Sequence, residues 1–422
     1  MSRTTLAYVV TLDGFTAIPG KDNIVIATFK ENGYEVIVQK NDFKSGDLAV
    51  YVEYDTVLPQ WPQFEFLRKR CYKEKYGGFL ISAMKMGGVV SYGIAFALEQ
   101  LKEVMDPSKM KPGMDLTETL KVASRDVLDE NLQTLAALKQ TKPRSFVKKL
   151  GYKLAHRFPR IAAVLMHKRK AYEYPIPKTD ETRIENLPGV YENWKGATVD
   201  GTLKMDGSSV SISIANGDFY LMSRNNVLFK APLKKLMKIE AKNLPLDKWL
   251  KKIDKLSWSA HFSAMPNVLM VCHRDKWIEN ISKMAQRMSA KSLTLQGELC
   301  GPGIQKNRMH LKELKWSVFN LTSDGRNYYN WSYINDRAFQ FLNIHFVTVP
   351  RIYHGEFKWK DKAEIKAFAN ALKYEDGSLA EGVVFRKCDP FSNNYYCQPE
   401  KGMSNMASLK VISDEYVLKH KD

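Results

Sequence analysis

Short runs dense in β-branched and aromatic residues mark the first part of the chain. They are Ile24 to Phe29 (IVIATF), Tyr34 to Val38 (YEVIV) and Leu48 to Tyr54 (LAVYVEY). Turn-forming residues separate them: Pro19-Gly20, Asn32-Gly33 and Ser45-Gly46-Asp47. Strands this short and this closely spaced predict a small barrel or sandwich. The pattern then changes. Asp115 to Leu138 has helical composition and spacing, and Phe146, Leu150, Leu154 and Phe158 recur every four residues, as on an amphipathic helix bounded by Pro143 and Pro159. Beyond residue 179 both periods occur. Ser209 to Ile214, Thr294 to Leu299, Trp316 to Leu321 and Gly382 to Arg386 read as strands, and Leu233 to Ala241 and Lys362 to Ala371 as helices.

The predicted fold class is therefore α+β, in three parts. Residues 1–100 form an N-terminal β-barrel, for which the OB barrel has the right size. Residues 101–178 form a basic helical linker or insertion. Residues 179–422 form a mixed α/β domain of antiparallel sheets with flanking helices. A chain of 422 residues has room for two or three domains.

Charge narrows the class of partner. Sixty-four Lys+Arg against 46 Asp+Glu give +18, which favours a polyanion, most simply nucleic acid, over an anionic membrane surface. From Lys139 to Lys170 there are 11 Lys/Arg and no acidic residue, so this segment either contacts an anionic surface or is a solvated helix packed by one face. No apolar run reaches the roughly 18 residues that span a bilayer. The N-terminus lacks a signal-peptide layout. Cys71, Cys272, Cys300, Cys388 and Cys397 are scattered with no CxxC pair, which argues against a disulfide scaffold or structural zinc site. The expectation is a soluble cytoplasmic protein.

Candidate chemistry centres on Leu203-Lys204-Met205-Asp206-Gly207. A lone Lys-x-Asp-Gly is a weak signal, equally a turn with an exposed lysine. Downstream segments add to it. Ser223-Arg224-Asn225 supplies a cation. Gly297-Glu298-Leu299-Cys300-Gly301-Pro302-Gly303-Ile304-Gln305-Lys306-Asn307 supplies a carboxylate and a Gly/Pro loop. Trp316-Ser317-Val318-Phe319-Asn320-Leu321 is an aromatic strand. Glu381-Gly382-Val383-Val384-Phe385-Arg386 sets a carboxylate before an apolar run, and Lys410 follows. A carboxylate entering an apolar strand needs a partner. Taken singly, Phe319 and Val384 are as well explained by core packing, and Lys410 by solvation.

In that order and spacing the set resembles the covalent nucleotidyltransferases, namely polynucleotide ligases and mRNA capping enzymes. The SRN, GELCGPGIQKN, WSVFNL and AEGVVFR segments look like ATP-dependent RNA ligases that seal nicks in duplexes. Ala17 to Pro59 and Thr179 to Arg183 look like the Deinococcus-type branch, in which an OB domain precedes the nucleotidyltransferase domain. The resemblance covers residues 1–100 and 179–422. It implies that Lys204 is the nucleophile that becomes AMP-lysine, with Asp206 holding the local loop and meeting a metal through water. It further implies that Arg224 contacts the adenylate or a ribose-phosphate and Glu298 a ribose hydroxyl. Phe319 and Val384 would sandwich adenine, Glu381 would bind Mg2+ or Mn2+, and Arg386 and Lys410 would contact phosphates. ATP would be the nucleotide, and a nicked RNA or RNA/DNA hybrid duplex with an RNA 3′-OH the partner, in RNA repair.

The attacking amine must be neutral, yet lysine titrates near 10.4. Neighbouring cations such as Lys410 and Arg386, and a metal, are expected to lower that value. The sequence departs from the family pattern at Ile412, where many members carry a second lysine. Lys387 and the run Lys234, Lys235, Lys238 are the remaining candidates for the missing phosphate contact. DNA ligases and GTP-using capping enzymes usually carry their OB domain after the last motif, but only 12 residues follow Lys410, which favours the RNA ligase branch. The reading from another class is a non-catalytic RNA-binding protein.

Overall fold

The computed structural model describes residues 5–125, 127–129, 132, 181–187, 189–224, 226–256, 266–325, 327–344, 346–400, 402–403 and 406–420. The basic segment Lys139 to Lys170 lies outside these. The chain forms two compact units. The first comprises Met1–Leu132, Ile184–Gly189 and Asp414–Asp422, the second Gln133–Arg183 and Val190–Ser413.

The first unit is an OB-like curled barrel. Its main sheet runs Ile94–Ala97, Leu48–Val52, Ala7–Ile18, Lys21–Phe29, Glu35–Gln39, all antiparallel. The expected strands are present, with one more ahead of them. Ala7–Ile18 carries Thr11, Asp13 and Gly14 inside it, which hid its periodicity. Its first half pairs with Leu48–Val52 and its second with Lys21–Phe29, with an irregularity at Leu12/Gly14 between them. A bulge there bends the strand and lets one sheet close on itself. A second sheet runs Ala123–Ser124, Thr56–Pro59, Gly78–Ile81, Tyr72–Lys73. Both faces of the long strand are covered: Ala7 and Val9 pack with Leu58, Phe64 and Phe79, while Val10 and Leu12 pack with Phe29, Tyr34 and Tyr51. The buried Tyr51 hydroxyl donates to the Tyr92 carbonyl at 2.8 Å.

The helix expected over Asp115 to Leu138 is not seen in its first part. Thr117 N–H donates to the Asp115 carboxylate at 2.9 Å, Lys121 takes a positive φ of 51°, and Ala123–Ser124 joins the second sheet. Helical hydrogen bonding begins only at Arg125. Leu116, Leu120 and Val122 have helix-like spacing, but a turn delivers them to the barrel core instead. The barrel unit thus runs past residue 100.

The second unit holds two sheets, each apolar on one side and polar on the other. The smaller runs Thr182–Arg183, Ser408–Ile412, Gly382–Lys387, Thr198–Lys204, Arg351–Glu356. Val199, Leu203, Val383, Phe385, Leu409 and Val411 alternate onto one face, where the Trp359 ring packs 4.8 Å from Phe385. The larger runs Val227–Pro232, Asp218–Ser223, Ser208–Ala215, Leu293–Cys300, Lys315–Ser323, Asn327–Tyr328. Its apolar face (Val210, Ile212, Phe219, Leu221, Leu295, Leu321) is covered by the helices Leu233–Glu240, Leu246–Ile253, Pro266–Arg274 and Trp277–Arg287. Its other face carries Ser211, Ser213, Thr294, Gln296, Asn320 and Thr322, all buried. Buried polar groups need partners, and Ser213 meets Thr294 at 2.8 Å and Asn320 donates to Gln296 at 3.0 Å.

Among the described residues no helix is long and apolar enough to cross a membrane.

Candidate functional site

The polar faces of the two sheets bound a cleft. On the smaller sheet the registers Asp200↔Arg386↔Ser408, Thr202↔Val384↔Lys410 and Lys204↔Gly382↔Ile412 place these residues on one side. On the larger sheet Ser209↔Glu298↔Ser317 and Ser211↔Gln296↔Asn320 do the same. The structure thereby gathers residues separated by as many as 208 positions in sequence, as Asp200 and Ser408 are.

Lys204 ends its strand, and its Nζ lies 2.7 Å from Glu381 Oε2. Burial alone would push its pKa down. The Glu381, Glu298 and Asp206 carboxylates outweigh that and hold it above the ordinary lysine value. The expectation of a lowered value is therefore reversed, because the nearest charges are acids. Glu298 is pushed up to about 8, first by burial, then by Glu381 and Asp206, against the pull of Lys204 and Arg224. Arg224 is exposed just past the Asp218–Ser223 strand, close enough for its charge to be felt at Glu298.

Two loops hold the Lys204–Gly207 backbone. The Tyr374 hydroxyl donates to the Lys204 carbonyl at 2.9 Å and accepts from the Glu381 N–H at 3.1 Å, tying the strand of the lysine to the carboxylate before the neighbouring strand. Arg308 Nη1 pairs with Asp206 Oδ2 at 3.0 Å, and Gln305 donates to the Gly207 carbonyl. The loop of residues 301–310 adopts positive φ at Gly301, Gly303, Gln305, Asn307 and His310. It is joined to the Tyr374 loop by His310 Nδ1 and Asp376 at 2.6 Å. Gly207 is required for room more than for turning. A Cβ there would lie 2.6 Å from Cys300 Sγ and closer still to the Leu299 carbonyl.

Deeper in the cleft lie Phe319, Val384 and Arg386. Between Gln296↔Asn320 and Gly297↔Val318 the register slips, leaving Phe319 as an extra residue. The bulge turns its ring out of the helix-side core, half-buried, 5.9 Å from the Arg386 guanidinium. Val384 is buried. Arg386 is buried and bound to Glu181 at 2.8 Å and Thr202 Oγ1 at 3.3 Å. Lys410 sits half-buried one strand beyond Val384. Ile412 is buried opposite Gly382.

The structure does not bring the remaining cationic candidates to the cleft. Lys387 pairs with Glu400 at 2.9 Å, and Lys234, Lys235 and Lys238 ride on a helix behind the larger sheet. Tyr374 and Arg308 escaped sequence reading. Arg308 stands one residue past the quoted GELCGPGIQKN stretch, whereas nothing around Tyr374 marks it.

Carboxylates are the donors that Mg2+ or Mn2+ prefer. Glu298, Glu381 and Asp206 form an acidic group around Lys204 that fits such an ion: burial chiefly raises the Glu298 pKa, and Glu381 and Asp206 add to it. Asp200, His354 and Cys388 also bring ligand atoms within 4.8 Å of one another. There, however, Asp200 already accepts from His354 at 2.8 Å, Tyr395 at 3.0 Å and Arg351 at 3.3 Å. That cluster is a hydrogen-bonded brace.

Comparison with known proteins follows the same outline. Residues 6–98 match a family model described as an OB-fold domain. No curated protein matches the chain in sequence. Among solved structures, the Naegleria gruberi RNA ligase with PPi is similar at TM-score 0.67 and 22% identity, over 100% of both chains. A point mutant of that ligase with ATP and Mn gives 0.66 and 21%, over 99% of this chain and 100% of that one. Another with AMP and Mn gives 0.65 and 22%, over 99% of each. This likeness establishes a shared fold. The RNA ligase family model matches residues 198–411, half of the chain, from the strand of Lys204 to that of Lys410, and the chain belongs to the RNA ligase family.

Proposed function

We propose that the protein is an ATP-dependent RNA ligase that works by three phosphoryl transfers. Lys204 Nζ attacks the α-phosphorus of ATP, forming a P–N bond while the bond to the β-phosphate oxygen breaks and pyrophosphate leaves. A 5′-phosphate oxygen then attacks the AMP phosphorus, and the P–N bond breaks. Finally a 3′-OH attacks the activated 5′-phosphate, its proton is lost, and AMP departs. The preferred substrate is a nick in a duplex whose 3′-OH end is RNA, in RNA repair.

The observation that carries this reading is Lys204 at the end of its strand, ringed by Glu381, Glu298 and Asp206. Glu381 keeps the amine charged and oriented until nucleotide arrives, and drawing that carboxylate away frees the lysine to lose its proton. A divalent ion on Glu381, with Asp206 reached through water, would neutralise charge on the phosphates. Glu298 accepts a ribose hydroxyl. Phe319 and Val384 cover the adenine faces. Arg224 and Lys410 meet phosphates, and Arg386, braced by Glu181, adds positive field at the inner end of the cleft.

The test is incubation with ATP labelled at the α-phosphate and a divalent metal. A labelled protein that disappears in Lys204→Ala supports the reading. Labelling by GTP alone would point to a capping-type enzyme, and none by either to an RNA-binding protein. Equal sealing of nicks with ribo and deoxyribo 3′-OH ends would sink the RNA preference and favour a DNA ligase.

As a division of labour we propose that the barrel unit, which extends beyond residues 1–100 to take in Leu116, Leu120 and Val122, grips the duplex, and that residues 190–413 carry the chemistry. Deleting residues 1–100 would expose Leu101, Leu116 and Leu120 of the barrel core. Charge reversal on the barrel surface is the sounder test, and equal loss of labelling and sealing would refute this division.

A further inference from the structure

The lysine run behind the larger sheet has no part in the cleft. The helices Leu233–Glu240 and Leu246–Ile253 bury Leu236, Trp249 and Ile253 in the apolar core behind the larger sheet, the same core that holds Val210, Ile212 and Phe219. The sheet's opposite, polar side bears Glu298 and Ser211. On the outer surface of these helices, Lys234, Lys235, Lys238, Lys242, Lys248, Lys251, Lys252 and Lys255 are all exposed. The acids among them are few. Glu240 is buried, accepting from Trp249 Nε1 at 2.6 Å, so only Asp247 and Asp254 remain at the surface. Eight exposed cations against two exposed anions leave a local +6. Among the described residues no ion pair engages these lysines.

The charges are also ordered. Lys234 and Lys238 stand four residues apart, a rise of about 6 Å along the helix, and Lys242 follows just past its end. Lys248 and Lys252 repeat this spacing on the second helix, Lys251 stands opposite the buried Trp249 and Ile253, and Lys255 follows just past the helix end. Two rows of cations result. Lysine is a flexible point charge, used for sequence-independent phosphate contact and depleted from protein–protein interfaces.

We propose that this helix pair is a second RNA-binding surface, which holds the phosphate backbone of a duplex arm remote from the ends being joined. The proposal deepens the ligase reading of the cleft and rests on it for the identity of the RNA. Such a surface adds affinity for long, structured substrates without touching the chemistry, since it lies across the sheet from Lys204.

The test replaces all eight lysines by glutamine in the full chain. Two readouts are taken: labelling by α-phosphate-labelled ATP without RNA, and binding of a nicked duplex across a salt series. Labelling should be unchanged. The log–log salt dependence should become shallower by about 0.9 for each phosphate no longer neutralised, with affinity at moderate salt down roughly tenfold or more. Nicks flanked by long arms should lose sealing while those with short arms keep it. Unchanged slope and affinity with intact labelling would overturn the proposal. So would unaltered RNA binding with loss of binding to polyglutamate, which would mark an acidic-protein surface. A wild-type protein that fails to label would count against the cleft reading alone, because the salt series still reports on this surface.

Discussion

Glu298 is held in the cleft at a cost that can be measured. Burial and the neighbouring Glu381 and Asp206 raise its pKa from 4.5 to about 8. In the unfolded chain the carboxyl ionises near its ordinary value, so between those two values the folded state binds the extra proton. Stability must then fall as pH rises through that window. At 1.36 kcal/mol per pKa unit the full excursion amounts to roughly 5 kcal/mol, with about a unit of pKa either way. Against a typical 5–15 kcal/mol of total stability this is large. Glu298→Gln removes the titration while keeping the side-chain shape. The variant should be more stable than the wild type at about pH 8 and should show a flatter slope between about pH 5 and pH 8. Urea unfolding followed by tryptophan fluorescence reads this unit, because seven of the eight tryptophans lie in residues 190–413. The same variant should lose self-adenylylation, a gain in stability at the expense of the site. Parallel pH–stability curves for the two proteins would refute the argument.

Three further outcomes are expected. Because carboxylates hold Lys204 protonated, single-turnover labelling should accelerate about tenfold per pH unit through neutrality; a flat profile would show that deprotonation of the lysine is not limiting. Tyr374→Phe leaves the Lys204 carbonyl and the Glu381 N–H without their shared hydroxyl, costing about 1–3 kcal/mol in denaturant titration. It should slow labelling at saturating ATP without weakening ATP binding, and unchanged rates would exclude a positioning role. Arg308→Gln removes one charged partner of the nearly buried Asp206 carboxylate and should cost about 1.5–3 kcal/mol in denaturant titration; no measurable loss would show that the pair does not stabilise the loop.

Much of the fold could be read from local patterns. The run IVIATF lies within Lys21–Phe29, and Lys362–Ala371 is a helix with the ends its spacing predicted. The pattern failed where local chemistry and tertiary packing disagree. Ala7–Ile18 is interrupted by polar residues because it bends at a bulge. Leu116, Leu120 and Val122 keep helical spacing although Asp115 and Lys121 make a turn. For the cleft, motif segments in order, through their resemblance to the covalent nucleotidyltransferases, were enough to nominate Lys204, Glu298 and Glu381; Glu298 lies in a strand the pattern predicted and Glu381 just before another. Their electrostatic balance was not legible. It depends on which charges strand pairing brings near, and pairing put acids beside the lysine where cations were expected. Tyr374 acts through a hydroxyl in a loop, at a spacing no periodicity encodes.

The extra residue at Phe319 has a consequence for how such a site can change. In a regular strand every side chain belongs to one face, and an added residue shifts all that follow to the other face. The bulge exempts Phe319 from that rule: Val318 stays in the core, Asn320 stays with Gln296, and the ring between them has no obligation to either. On the proposed reading, in which Phe319 covers one face of the adenine, this one position can be varied to alter nucleotide preference with little change in melting temperature.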